Sequence, residues 1–198
     1  MRREPEVAAV LFAGTVALSA VGVVRGIWFV WVYLPALVAS VGIVVVIDHL
    51  RGPIPGILLW LLAAWALLHL AGGLAANPKG DSEILYGMWI VDGVLRFDQV
   101  VHGFGIGVAT ATLAYTTRES SRPLLWGFVL AQGIGAVNEA AENVFAVFVE
   151  DSNVGDVYNT LGDLAWHLIG SAIAAGWMVR RGIPGVAAGV GSMQESPA

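Results

Sequence analysis

The chain has 198 residues, of which 57% are hydrophobic and only 13% charged, with a mean hydropathy of +0.75. That balance excludes an ordinary soluble domain and marks a polytopic membrane protein. There is no Cys, which removes disulfides, thiolate metal sites and cysteine nucleophiles, and the net charge of -5 goes with no nucleic-acid partner.

Windows of about 17–25 mostly apolar residues, the length a spanning helix needs, occur at 7–24, 27–47, 54–76, 99–117, 124–149 and 160–179. The reading is an all-α bundle of six transmembrane helices in one domain, residues 1–181, followed by a flexible cytoplasmic tail at 182–198. The first run continues without a convincing cleavage site, so it reads as a mature span and not a signal peptide. "RG" at 25–26 is a very short separator. It implies either a tight helical hairpin, which is favoured, or one long bent helix and five spans. The remaining separators are "DHLRGP", the long stretch at 77–98, "RESSRP" and "EDSNVGD".

Basic residues set the orientation. With six spans and the N-terminus inside, Arg2, Arg3, Arg51, Arg118, Arg122, Arg180 and Arg181 face the cytoplasm, and Arg25, Lys79 and Arg96 face out. Both termini are then cytoplasmic. Asp81, Glu83, Asp92, Glu150, Asp151 and Asp156 make the outer face acidic. "GFGIGVATA" at 103–111 and "GIGA" at 133–136 are packing signals, because small residues let membrane helices approach closely.

Against this apolar background the ionisable residues inside the spans form a pattern. Asp98 and His102 share a face four residues apart, as do Asn159, Asp163 and His167 in steps of four. Glu139 and Glu142 lie three apart in mid-helix within "NEAAEN", and His69 lies before Gly72 and Gly73 near the end of the third span. At about 1.5 Å of rise per residue, all seven fall in the outer half, Asp98 at the outer boundary and the other six roughly 5–15 Å below it. A charged carboxylate at the centre of a span costs about 2.5–3.5 kcal/mol on insertion scales. No Lys or Arg inside the spans can neutralise the group, so it needs protons or a metal cation.

The expected metal ligands are His69, His102, Asp98, Glu139, Glu142, Asp163 and His167, with Glu139, Glu142 and Asp98 as the candidate catalytic carboxylates. Imidazole and carboxylate without thiolate suit a divalent zinc, iron or manganese. Such an ion lowers the pKa of a bound water for attack on an ester or phosphoester, a spare carboxylate acting as base. Asp98 and Asp163, taken singly, also fit helix caps, and His69 an interhelical hydrogen bond. Asp48 and His49 lie at the opposite, cytoplasmic boundary and read as interfacial.

"RFDQVVHGFGIG" (96–107), "NEAAEN" (138–143) and "GDVYNTLGDLAWHLIGSAIAAG" (155–176) resemble the hallmark segments of the YjdF-like bacterial inner-membrane proteins, and more distantly the VanZ-like family. The resemblance spans about residues 65–176. It implies that Asp98, His102, Glu139, Glu142, Asp156 and Asp163 form a site, and implies no activity. Two functions follow as expectations: a metal-dependent enzyme of the cell membrane acting on a lipid or lipid-linked substrate at the outer leaflet, or a cation- or proton-coupled carrier. A scaffold with a structural polar core is the third.

Overall fold

The computed structural model describes residues 4–80, 82–149 and 157–182. Six α-helices occur among them: α1 (Pro5–Val24), α2 (Val30–Arg51), α3 (Gly56–Leu74), α4 (Phe97–Thr116), α5 (Pro123–Phe148) and α6 (Val157–Arg180). Each coincides with an expected span to within a few residues. Arg2, Arg3, Asp81, Glu150, Asp151, Asp156 and the tail at 183–198 lie outside the described residues.

The chain divides into two compact units, Met1–Val101 and His102–Ala198, the division falling inside α4. In the first unit, Pro5 opens α1 at a position where its missing N–H is no loss. After Val24 the chain leaves the helix and Gly26 takes φ 72°, so α1 and α2 are separate helices and not one bent rod. Arg25 fixes the turn by donating to the Leu74 carbonyl at 2.8 Å and the Glu83 carbonyl at 2.9 Å. The first of these satisfies a carbonyl that the end of α3 leaves open.

Val30, Leu70 and Leu74 form the buried core of this unit, with Leu18, Tyr33, Leu34, Leu37 and Leu67 packed around them. Phe12, Val38, Ile43 and Leu50 point outward, at least 60% exposed. Apolar side chains on every face are the mark of helices solvated by lipid. At the other end of α2, Asp48 Oδ1 accepts the Ile54 N–H at 2.8 Å and closes the bend before α3.

The segment at 77–98, read from sequence only as a polar loop, is structured. Leu85–Gly87 make one 3-10 turn, and β1 (Trp89–Val91) pairs antiparallel with β2 (Leu95–Arg96), with Gly93 at φ 70° in the turn. The Arg96 guanidinium lies 4.5 Å over the Trp89 ring.

The second unit is built on small residues. Gly170 on α6 sits so close to α4 that an added Cβ would lie 1.8 Å from the Gly103 carbonyl oxygen. Gly127 on α5 meets Thr110 and Ala114 of α4 in the same way. Ile106, Ala109 and Ala131 complete the apolar core. These close approaches bring polar side chains of three helices within hydrogen-bonding distance.

Four helices, α1, α2, α3 and α5, are long and apolar enough to cross a membrane by length and composition. α4 and α6 carry more Gly, Thr and ionisable residues. A helix that buries such residues against other helices does not have to be apolar throughout.

Candidate metal centre

Three helices of the second unit each supply one side chain to a common point. His102 enters from α4 at 6% exposure, Glu139 from α5 at 4% and His167 from α6 at 1%. His102 Nδ1 lies 3.0 Å from Glu139 Oε1 and 3.2 Å from His167 Nε2, and His167 Nε2 lies 3.8 Å from the same carboxylate oxygen. The imidazoles stack with centroids 5.4 Å apart at 12°.

The triangle has a physical signature. Ligands held at about 2.1 Å from one ion are about 3.4 Å apart in a tetrahedral arrangement and about 3.0 Å apart at right angles. The three observed edges bracket both. Glu139 Oε1, moreover, accepts no well-formed hydrogen bond although two ring nitrogens approach it. A buried carboxylate oxygen left without a hydrogen bond beside two ring nitrogens is a set of atoms that a shared cation would satisfy.

The surroundings hold this geometry. The His167 ring rests against the backbone of α5 at Gly135, where an added Cβ would come within 2.6 Å of Nδ1 and 2.8 Å of Cε1. Any side chain larger than hydrogen at 135 would push the imidazole away. Asn143 donates from Nδ2 to the Glu139 carbonyl at 2.7 Å and to Thr160 Oγ1 at 3.1 Å, tying α5 to α6 beside the carboxylate. One turn before His167, the fully buried Asp163 accepts from Asn159 Nδ2 at 2.7 Å. Neither 97–117 nor 123–179 contains Lys or Arg, so the stretches that bear the triangle carry no fixed positive charge.

The other expected ligands stand as follows. Glu142 is half-buried on α5, one turn beyond Glu139, and its Oε1 accepts from Asn138 Nδ2 at 2.7 Å. Asp98 occupies the first turn of α4, one turn before His102 and on the other side of the unit division. His69 belongs to the first unit, where Nδ1 is hydrogen-bonded to the Tyr86 hydroxyl and the ring meets Tyr33 edge-on at 5.4 Å. Gly72 and Gly73 make room for those two tyrosines. The interhelical reading of His69 therefore describes its contacts there.

Three functional-looking residues went unnoticed in the sequence. Thr110 and Ser171 are fully buried, their hydroxyls 2.8 Å apart, and Gln132 donates to Ser171 Oγ at 2.8 Å and to the His167 carbonyl at 3.3 Å. The signal was available, since Ser171 continues the stripe Asn159, Asp163, His167 by four more residues.

A family model described as a predicted membrane protein (DUF2238) matches residues 6–182, nearly the whole described chain. No curated protein and no solved structure matches the chain. The protein therefore belongs to this family of predicted membrane proteins, whose function is unknown.

Proposed function

We propose that the protein is a metal-dependent enzyme of the cell membrane, with one divalent ion held by His102, Glu139 and His167. The observation that carries this reading is the triangle of Nδ1, Oε1 and Nε2, with edges of 3.0, 3.2 and 3.8 Å, on stretches (97–117 and 123–179) that contain no Lys or Arg. Two imidazoles and one carboxylate suit zinc, and also iron or manganese. Three protein ligands leave coordination positions open, as a catalytic centre requires and a closed structural site does not.

The substrate class follows from placement. Six spans with both termini inside put the triangle in the outer half of the bilayer, where a lipid or lipid-linked ester or phosphoester is the available reactant. The membrane lipids are then both solvent and source of substrate. An ion in the triangle would supply an acidified water and polarise the substrate oxygen. Glu142, on the same face of α5 one turn nearer the outer end, takes the proton of the attacking water and returns it to the leaving oxygen. Asp163 stands one turn before His167 on α6, where its carboxylate reinforces the negative field of the site. The resemblance to YjdF-like and VanZ-like segments concerns Asp98, His102, Glu139, Glu142, Asp156 and Asp163 and adds no reaction.

A carrier would need polar groups that continue to the opposite face. Among the described residues of this unit the buried ionisable side chains are His102, Glu139, Asp163 and His167, and further along α4 and α6 only the hydroxyls of Thr110, Thr112, Thr116 and Ser171 are buried; that lack of a titratable group toward the opposite face favours the enzyme.

The division of labour between the two glutamates is the test. Purified Glu139→Gln is expected to lose bound metal. Glu142→Gln is expected to keep it while losing turnover of a lipid ester or phosphoester that the wild type cleaves. Loss of metal from Glu142→Gln, with retention in Glu139→Gln, would contradict the assignment.

A further inference from the structure

Gln132, Ser171 and Thr110 take no part in the proposed chemistry, yet two of the three are completely buried polar residues. Their hydrogen bonds have a defined direction. Thr110 Oγ1 donates to the Ile106 carbonyl at 2.8 Å within its own helix, so Ser171 must donate to Thr110 across the 2.8 Å gap between their hydroxyls. Ser171 in turn accepts from Gln132 Nε2, which also reaches the His167 carbonyl. One chain of donors thus runs from α5 to α6 to α4.

These are the three helices that bear the metal-site residues. Thr110 lies eight residues from His102 on α4, Gln132 seven from Glu139 on α5, and Ser171 four from His167 on α6. The displacement from the triangle is toward the C-terminus on α4 and α6 and toward the N-terminus on α5. That pattern places all three on one level, on the same side of the triangle. Around them the contacts are made by glycine and alanine, whose smooth surfaces offer little resistance to sliding: Gly103 and Gly107 against Gly170, and Gly127 against Ala114. Smooth helices slip by a turn at small cost unless something polar specifies their alignment. A slip of α6 by one turn, about 5.4 Å, would leave Ser171, Thr110 and Gln132 unpaired in a buried setting and would carry His167 away from Glu139.

We propose that Gln132, Ser171 and Thr110 form a register clamp that sets the axial alignment of α4, α5 and α6 and so positions His102, Glu139 and His167 for a shared ion. They are positioning residues; none touches the triangle with its own side chain. A single buried polar group fixing the register of packed helices is an established device. Here the group is distributed over three helices, so that each member specifies the alignment of the other two. The clamp rests on the metal-centre reading for its consequence and on hydrogen-bond geometry alone for its existence.

The experiment uses the full-length chain in nanodiscs, stripped of metal and titrated with cobalt(II), whose visible ligand-field bands report coordination geometry. Thr110→Val removes the hydroxyl without changing shape, Thr110→Ser keeps it, and Ser171→Ala and Gln132→Leu cut the other links. The clamp predicts a cobalt dissociation constant raised roughly 10- to 100-fold and altered bands in Thr110→Val and Ser171→Ala, with Thr110→Ser restoring both. Unchanged affinity and bands in Thr110→Val, with heat stability alone reduced, would overturn it. Should Thr110→Val not fold, Ser171→Ala and Gln132→Leu carry the same comparison. A wild type that takes up no cobalt defeats the metal reading separately. The clamp is then judged in metal-free protein by the ¹⁵N imidazole resonances of His102 and His167: loss of their mutual hydrogen-bond signature in Thr110→Val and its retention in Thr110→Ser supports the clamp, and no change in either removes it.

Discussion

The two units spend their interiors differently. Among the described residues of Met1–Val101 the fully buried side chains are aliphatic, Val30, Leu58 and Leu74 among them, and Arg25 and Asp48 serve helix ends and turns. In His102–Ala198 the most buried positions include Asp163, His167, Ser171 and Thr110. Aliphatic packing is the cheaper way to hold helices together in lipid, and the first unit shows that this chain can use it. The second unit keeps carboxylates and imidazoles where each costs free energy. A cost that packing alone does not require points to function.

Substitutions in the two units should separate packing from chemistry. The largest effect is expected from Gly170→Ala: its Cβ would overlap a backbone oxygen at 1.8 Å, which no side-chain rotation relieves. Helices α4 and α6 must part, and we expect no stably folded protein on size-exclusion chromatography. Leu74→Ala opens a cavity in the first unit, where Leu74 is fully buried. It should cost about 2–5 kcal/mol of stability in reversible unfolding, with metal affinity unchanged. If Leu74→Ala lowered metal affinity as much as changes in the second unit do, the contrast would fail. Gly135→Ala should be milder for the fold, about 1–3 kcal/mol as an overpacked site, because the atoms it meets belong to the His167 ring and can move. Its metal affinity should nevertheless fall at least tenfold, measured by competition with a chelator.

Most of the architecture was legible in the sequence. Helices announce themselves by length of apolar run, and Pro5, Pro123 and Gly52 mark boundaries that the structure keeps. The 25–29 break was harder, since two residues of separator fit either a hairpin or a bend; Gly26 at positive φ decides it. The hairpin at 89–96 was missed because five strand residues carry too short a pattern, and the Trp89–Arg96 contact that steadies it joins residues seven apart.

Within the site, spacing of four along α4 and α6 selected His102, Asp163 and His167 correctly as residues turned to the interior. Spacing says which side of one helix a residue occupies. It says nothing of which helices are neighbours; His69, expected among the ligands, is hydrogen-bonded to Tyr86 within the first unit. Thr110, Gln132 and Ser171 were overlooked for the opposite reason. Uncharged residues among glycines attract no notice in a hydropathy reading, and only their convergence gives them meaning.

The central claim is that His102, Glu139 and His167 hold an ion, and metal analysis of the purified protein tests it most directly. The account predicts close to one divalent transition metal per chain in the wild type and loss of that metal in His102→Ala, Glu139→Gln and His167→Ala. A wild type that remains metal-free after reconstitution with zinc, iron and manganese, or a Glu139→Gln variant that binds as the wild type does, would contradict it.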